Sequence, residues 1–539
     1  MAGESTPSLD DMLAIAQEMP LGERVGRVFM FHLRNLVHAE NLLRLKPAGF
    51  VRIYSDALTA VRQHAQLQSH AGYPLLLAAD FEKGVAPVVS GATEYGPAMA
   101  LAAAGEEQLT YAIARAIAAE ASAIGINWNL MPTLDVNTEP RNPIINVRAF
   151  SDDPLTVVEH GRAFIKGSHD NGVLVCPKHF PGHGSTATDS HATLPVITLP
   201  EAELRKTHIS PFAELIRTEH VEAVMVGHLV CPALDPSRLP ATFSQRLIEQ
   251  MLREELEFDG VVVSDALDMG ALTRCFSTEE IVVRAFTAGC DLLLMPADPW
   301  AAYEALLRAV QDGTISEERL NLAVARVLRL ATYVETRNKN VVRPDDTLGV
   351  VGNVAHIGLA EKLGRACITV IRGVSGNCPV SKTKHVAVIS FSTTHDGLFE
   401  YLAPKEFGDY CEALHPLCRS FYCGKLGQER YDIPDAVGYA LELCAGADMI
   451  VLGIYARIVV ASGHIGFAPQ ELEFLARVLS LGKPVIVVLF APPCLALDLP
   501  SEISNVICAF GSGWALQKAA AAAVFGRIPF QGKLPIRLE

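Results

Sequence analysis

Short apolar runs alternate with longer amphipathic stretches through the first part of the chain. Runs rich in Val, Ile and Leu predict strands at Val25–Phe31, Gly49–Tyr54, Tyr73–Asp80, Ile126–Pro132, Val173–Phe180, Ala223–Val230, Gly260–Asp265 and Cys290–Pro296. Near-continuous apolar character suits parallel strands buried on both faces. The spacing of apolar positions predicts helices over Gln108–Ile124 and Pro154–Asn171. Strand and helix patterns that alternate in this way fit a (β/α)₈ barrel over residues 1–335.

The rhythm changes across residues 336–384. Thr336–Asp346 is polar, charged and interrupted by proline, which suits a linker, and a connecting helix is predicted around Gly352–Thr369. Buried-strand patterns return at His385–Ser390, Asp448–Ile454, Pro484–Phe490 and Asn505–Phe510. Helical patterns return at Ala468–Leu481 and Trp514–Phe525. Residues 385–539 therefore read as a second α/β domain.

Composition narrows the functional classes. Half of the 539 residues are hydrophobic, enough for a large core. Lys+Arg 45 against Asp+Glu 60 leaves a net charge of −15. With no dense basic run, this balance disfavours nucleic acid and anionic membrane surfaces as partners. No apolar run is long enough to predict a membrane span. The N-terminal stretch lacks the pattern of a secretory signal. Twelve scattered cysteines, none in a C-x-x-C pair, read as buried thiols of a reducing compartment, so a cytoplasmic enzyme is expected.

In such a barrel the chemistry lies at the C-terminal ends of the strands. Those ends carry Asp80, Lys178, His179, His228 and Asp265. The densest segment is VCPKHFPGHGSTATDSH, Val175–His191. Its proline and glycines predict a loop rather than a helix. His179, His183, Asp189 and His191 fit a divalent-metal site; alternatively, Asp189 and His191 form a dyad whose carboxylate orients the imidazole. In FDGVVVSDALDMG, Phe258–Gly270, a strand delivers Asp265 to the barrel mouth. There it can serve as a nucleophile, a base or a metal ligand. Asp268, beyond the strand end, reads as a helix N-cap or first-turn residue. Trp128 and Trp514 read as packing, and Asp135 with Asn137 as supports for the loop of Arg148.

Together, KHFPGHGSTATDSH and SDALDMGAL resemble glycoside hydrolase family 3, in its β-N-acetylglucosaminidase branch with a D-S-H triplet. ADFEKG, NPIINVRAF, VMVGHLVCPALD, AGCDLLLMP and GRIPFQGKLPIRL extend the resemblance over nearly the whole chain. The resemblance implies a TIM-like (β/α)₈ barrel followed by an αβα sandwich. It also implies a retaining enzyme that removes terminal β-linked N-acetylglucosamine from a glycoside, with no metal or other cofactor. Asp265 would be the nucleophile, His191 the acid/base and Asp189 its partner, while Asp80, Arg148, Lys178 and His179 would hold sugar hydroxyls. The branch usually reads D-x-E-G-G-x-V-x-R where this chain has Asp80 to Val88, so Val88 replaces an arginine and Lys83 a glycine. Four other activities are compatible with these residues: phosphorolysis, transglycosylation, β-glucosidase action and metal-dependent hydrolysis. A catalytically silent sugar-binding protein is the non-enzymatic alternative.

Overall fold

The computed structural model describes residues 8–188, 190, 193–337, 349–373, 378–393, 406–426, 435–456 and 465–538. Its contacts divide the chain into two compact units, and the division is not a single cut. The first comprises Met1–Glu94, Thr110–Val136 and Asp153–His356; the second comprises Tyr95–Leu109, Asn137–Asp152 and Ile357–Glu539.

In the first unit the strands are β1 (Phe29–Leu33), β2 (Gly49–Arg52), β3 (Ser55–Asp56), β4 (Leu76–Ala79), β5 (Val89–Ser90), β6 (Trp128–Asn129), β7 (Leu174–Val175), β8 (Ala223–Val226), β9 (Val261–Ser264) and β10 (Leu293–Leu294). A parallel sheet runs in the order β10-β1-β2-β4-β6-β7, and β8 pairs with β9. Parallel bridges Phe180↔Val226 and Val263↔Leu292 continue the ladder from the β7 segment to β8 and from β9 to the β10 segment. The result is a curled, TIM-like α/β sheet in which all eight expected strand runs take part. Val25 is the exception at one boundary: it lies in the helix Leu21–Gly26, and β1 begins only at Phe29. A buried helix end and a buried strand are equally apolar, so the pattern merged them.

Strand residues alternate between the inside and outside of the curl. Met30, Val51, Leu76, Ala78, Trp128, Leu174, Cys176, Met225, Val261, Val263, Leu292 and Leu294 share one buried cluster. Trp128 is fully buried within it and donates from Nε1 to the Val175 carbonyl at 3.2 Å, as its packing role required. Strands approach closely where Gly49 meets β4: a Cβ there would lie 1.7 Å from the Leu76 carbonyl oxygen. Local chemistry sets the helices between strands. Asp153 caps Pro154–His169 by accepting from the Thr156 amide, with proline at the first helical position where its missing N–H costs nothing.

The second unit holds β11 (Thr369–Arg372), β12 (Val386–Ser392), β13 (Cys418–Lys425), β14 (Met449–Tyr455), β15 (Val485–Phe490) and β16 (Asn505–Cys508). Their order is β11-β16-β15-β14-β12-β13. Only β11 runs antiparallel to its neighbour. Helices Pro469–Ser480 and Trp514–Val524 fall where the pattern placed them in this sandwich unit. β11 and β13 lay outside the expected strands. All twelve cysteines are free thiols, eleven of them buried or partly so. Among the described residues, no helix is long and apolar enough to cross a membrane.

Candidate active site

Alternation carries the inward face one step beyond each strand. Two residues after the inward-facing Ala78, Cys176 and Val263 come Asp80, Lys178 and Asp265; two after Met30 comes His32. These side chains form the layer above the core at the C-terminal strand ends, where barrel enzymes place their chemistry. Lys178 confirms the geometry. Its buried ammonium lies 2.6 Å from Asp80 Oδ1 and 3.1 Å from Glu82 Oε1. Two carboxylates repay the desolvation of one ammonium, while the Asp80 side chain stays 44% exposed and open to a ligand. Fixed donors and acceptors side by side are what polyhydroxylated ligands require. Glu82 was not among the expected site residues; the D-x-E spacing is its only sequence signal.

His179 is held from behind. Its Nδ1 lies 2.7 Å from Oδ2 of the fully buried Asp135, and the His183 amide donates to Asp135 Oδ1 at 2.6 Å. Burial pushes the Asp135 carboxyl upward, but the neighbouring His179 and His183 outweigh it and hold the group below the usual carboxylate range. Asp135 therefore clamps the loop after β7, not the loop of Arg148 as the sequence suggested. Gly182 lets that loop pass: its φ is +119°, and a Cβ would sit 2.7 Å from His208 Cβ. His208 lies beneath, its pKa lowered to about 4 by burial against a smaller raising effect of Asp135.

Asp265 sits at the head of a tied-down loop. Its amide donates to the Val226 carbonyl at 3.0 Å, and its Oδ1 accepts the Ala266 amide at 2.8 Å. The Leu267 amide donates to Leu294, and His228 bridges Thr242 Oγ1 and the Ala266 carbonyl. His228 is thus a brace for this loop. Asp268 pairs with His32, Oδ2 to Nε2 at 2.9 Å, while the following short helix is capped by Met269. The N-cap expectation for Asp268 fails because a tertiary partner claims its carboxylate. The Ala271 amide donates to the Ser190 carbonyl at 3.2 Å, so the segment after Asp265 is tied to Ser190. Asp189 and His191 lie outside the described residues.

Arg148 belongs to the second unit, in a 3₁₀ turn Asn146–Arg148, where its Nη1 donates to the Ile144 carbonyl at 3.1 Å. In the first unit, Lys83 lowers the pKa of Glu94, although burial leaves that carboxyl raised overall. Val88 is tied through its backbone carbonyl to the Ser55 amide at 3.0 Å.

The family described as the glycosyl hydrolase family 3 N-terminal domain matches residues 52–330, more than half of the chain. The chain belongs to glycosyl hydrolase family 3. This family 3 glycosidase is 35% identical over 340 residues to β-hexosaminidase A of Pseudoalteromonas piscicida, a match covering 59% of the chain and 56% of that relative's length. It is 29% identical over 545 residues to a β-N-acetylglucosaminidase/β-glucosidase of Cellulomonas fimi, covering 96% and 94% of the two chains. A solved family 3 β-N-acetylglucosaminidase from Paenibacillus sp. str. FPU-7 superposes with a TM-score of 0.86 at 30% identity, covering 96% of this chain and 99% of that one. A β-glucoside phosphorylase structure shares the fold with a TM-score of 0.88 at 22% identity, covering 98% and 96%.

Proposed function

We propose that this family 3 glycosidase is a retaining β-N-acetylhexosaminidase that releases terminal β-linked N-acetylglucosamine. The observation that carries the reading is the mouth layer itself: Asp265 in the same layer as the buried Lys178 ammonium and the open Asp80 carboxylate. Two named β-N-acetylglucosaminidases that align along nearly the whole chain support the sugar assignment.

In the first half-reaction an Asp265 oxygen bonds to the anomeric carbon as the bond to the aglycone oxygen breaks. The His191 imidazolium, partnered by Asp189, gives its proton to that departing oxygen. In the second half, neutral His191 takes a proton from water, the water oxygen bonds to the anomeric carbon, and Asp265 leaves as carboxylate. An imidazole suits both directions because its pKa lies near the working pH. Asp80, Lys178 and His179 hold the sugar hydroxyls, and no metal or other cofactor takes part. The free thiols support a reducing compartment, and with it the cytoplasm, as the place where the enzyme works.

Release of p-nitrophenol from the β-N-acetylglucosaminide, beside the β-glucoside, tests the reading in wild type and Asp265→Asn, with and without phosphate. Release should favour the N-acetyl sugar, vanish in the variant and yield no sugar 1-phosphate. Sugar 1-phosphate formation would replace the hydrolase with a phosphorylase; preference for the glucoside would overturn the sugar assignment.

A further inference from the structure

The histidine–aspartate pair of His32 and Asp268 has no part in the reaction as written. His32 is the penultimate residue of β1, two positions after the inward-facing Met30 and on the same side of the strand. Asp268 lies three residues past Asp265 and meets His32 with Oδ2 2.9 Å from Nε2. His32 Nδ1 is buried and makes no hydrogen bond among the described residues. A proton on Nδ1 would be desolvated without a partner, a costly arrangement. The favoured tautomer therefore carries its proton on Nε2 and donates it to Asp268. That bond orients a carboxylate whose side chain is still 33% exposed.

We propose that Asp268, oriented by His32, is a substrate-binding carboxylate that accepts a hydrogen bond from one hydroxyl of the terminal sugar. The proposal rests on the glycosidase reading above. His32 is a positioning residue: it acts through Asp268 and holds no substrate atom. A hydrogen bond to a charged acceptor makes this contact worth about 10- to 100-fold in kcat/KM.

The test is a double-mutant cycle between protein and substrate. Wild type, Asp268→Ala and His32→Gln are assayed on p-nitrophenyl N-acetyl-β-glucosaminide and on its 3-, 4- and 6-deoxy forms. Wild type should lose about 10- to 100-fold on one deoxy substrate, and Asp268→Ala should lose almost nothing further on that one. His32→Gln should weaken the same hydroxyl and leave the other two unchanged, a pattern that general loosening of the mouth would not give. Losses that multiply independently at all three positions would overturn the proposal. The same cycle is read by calorimetry with N-acetylglucosamine and its deoxy forms. Absent turnover would then count against the glycosidase reading, while coupling in binding would still decide the role of Asp268.

Discussion

Lys178 shows how single residues are committed in this site. Its ammonium is buried between Asp80 and Glu82, so removing it leaves two like charges facing each other without their counter-ion. Lys178→Met should lower kcat/KM by about 10- to 100-fold, mostly through KM, in steady-state kinetics. Asp135 makes a different prediction. Its pKa is lower folded than unfolded, so its stabilising contribution is present above the unfolded carboxyl value of about 4 and is lost as pH falls through the folded value. Thermal melts from neutral to acid pH should show Asp135→Asn less stable than wild type at neutral pH. The gap should narrow below about pH 4. A constant gap would show that the charge of Asp135 contributes nothing.

At the scale of elements, the proposed reaction draws its groups from the loop after β7 and the end of strand β9. Gly182→Ala places a side chain at φ +119° and against His208, so the loop must shift. The variant should keep its fold by circular dichroism and lose about 10-fold or more in kcat, the penalty of misplaced catalytic groups. β9 is supported by the fully buried Asp291, which accepts from the Val262 amide and from Arg253, Arg319 and Arg326. Burial raises its pKa, but the three guanidiniums outweigh that and keep it ionised. Asp291→Ala leaves those cations without their common partner and should cost about 3–5 kcal/mol in urea unfolding of the first unit. A loss below about 1 kcal/mol would refute this cross-link role.

Which elements were legible follows from the same physics. Strands buried on both faces, such as β9 and β15, announce themselves as apolar runs. β11 and β13 lie at the two edges of their sheet and are largely half-exposed, so their polar residues hid them. Asp80, Lys178 and Asp265 were legible because each ends an apolar run. The Asp268–His32 pair spans 236 positions, and the Asp135–His179 clamp spans 44. Contacts of that kind depend on how the sheet curls, which local pattern does not encode.

For the molecule as a whole, the proposed reaction turns on retaining cleavage through a covalent bond to Asp265. Azide rescue tests it most directly. Asp265→Ala should lose nearly all turnover of p-nitrophenyl N-acetyl-β-glucosaminide, because no carboxylate remains to attack the anomeric carbon. Added azide should restore release by attacking the face that Asp265 vacates, and the product should be the α-configured glycosyl azide. Wild-type turnover in Asp265→Ala, or rescue that yields only the β-configured azide, would contradict the account.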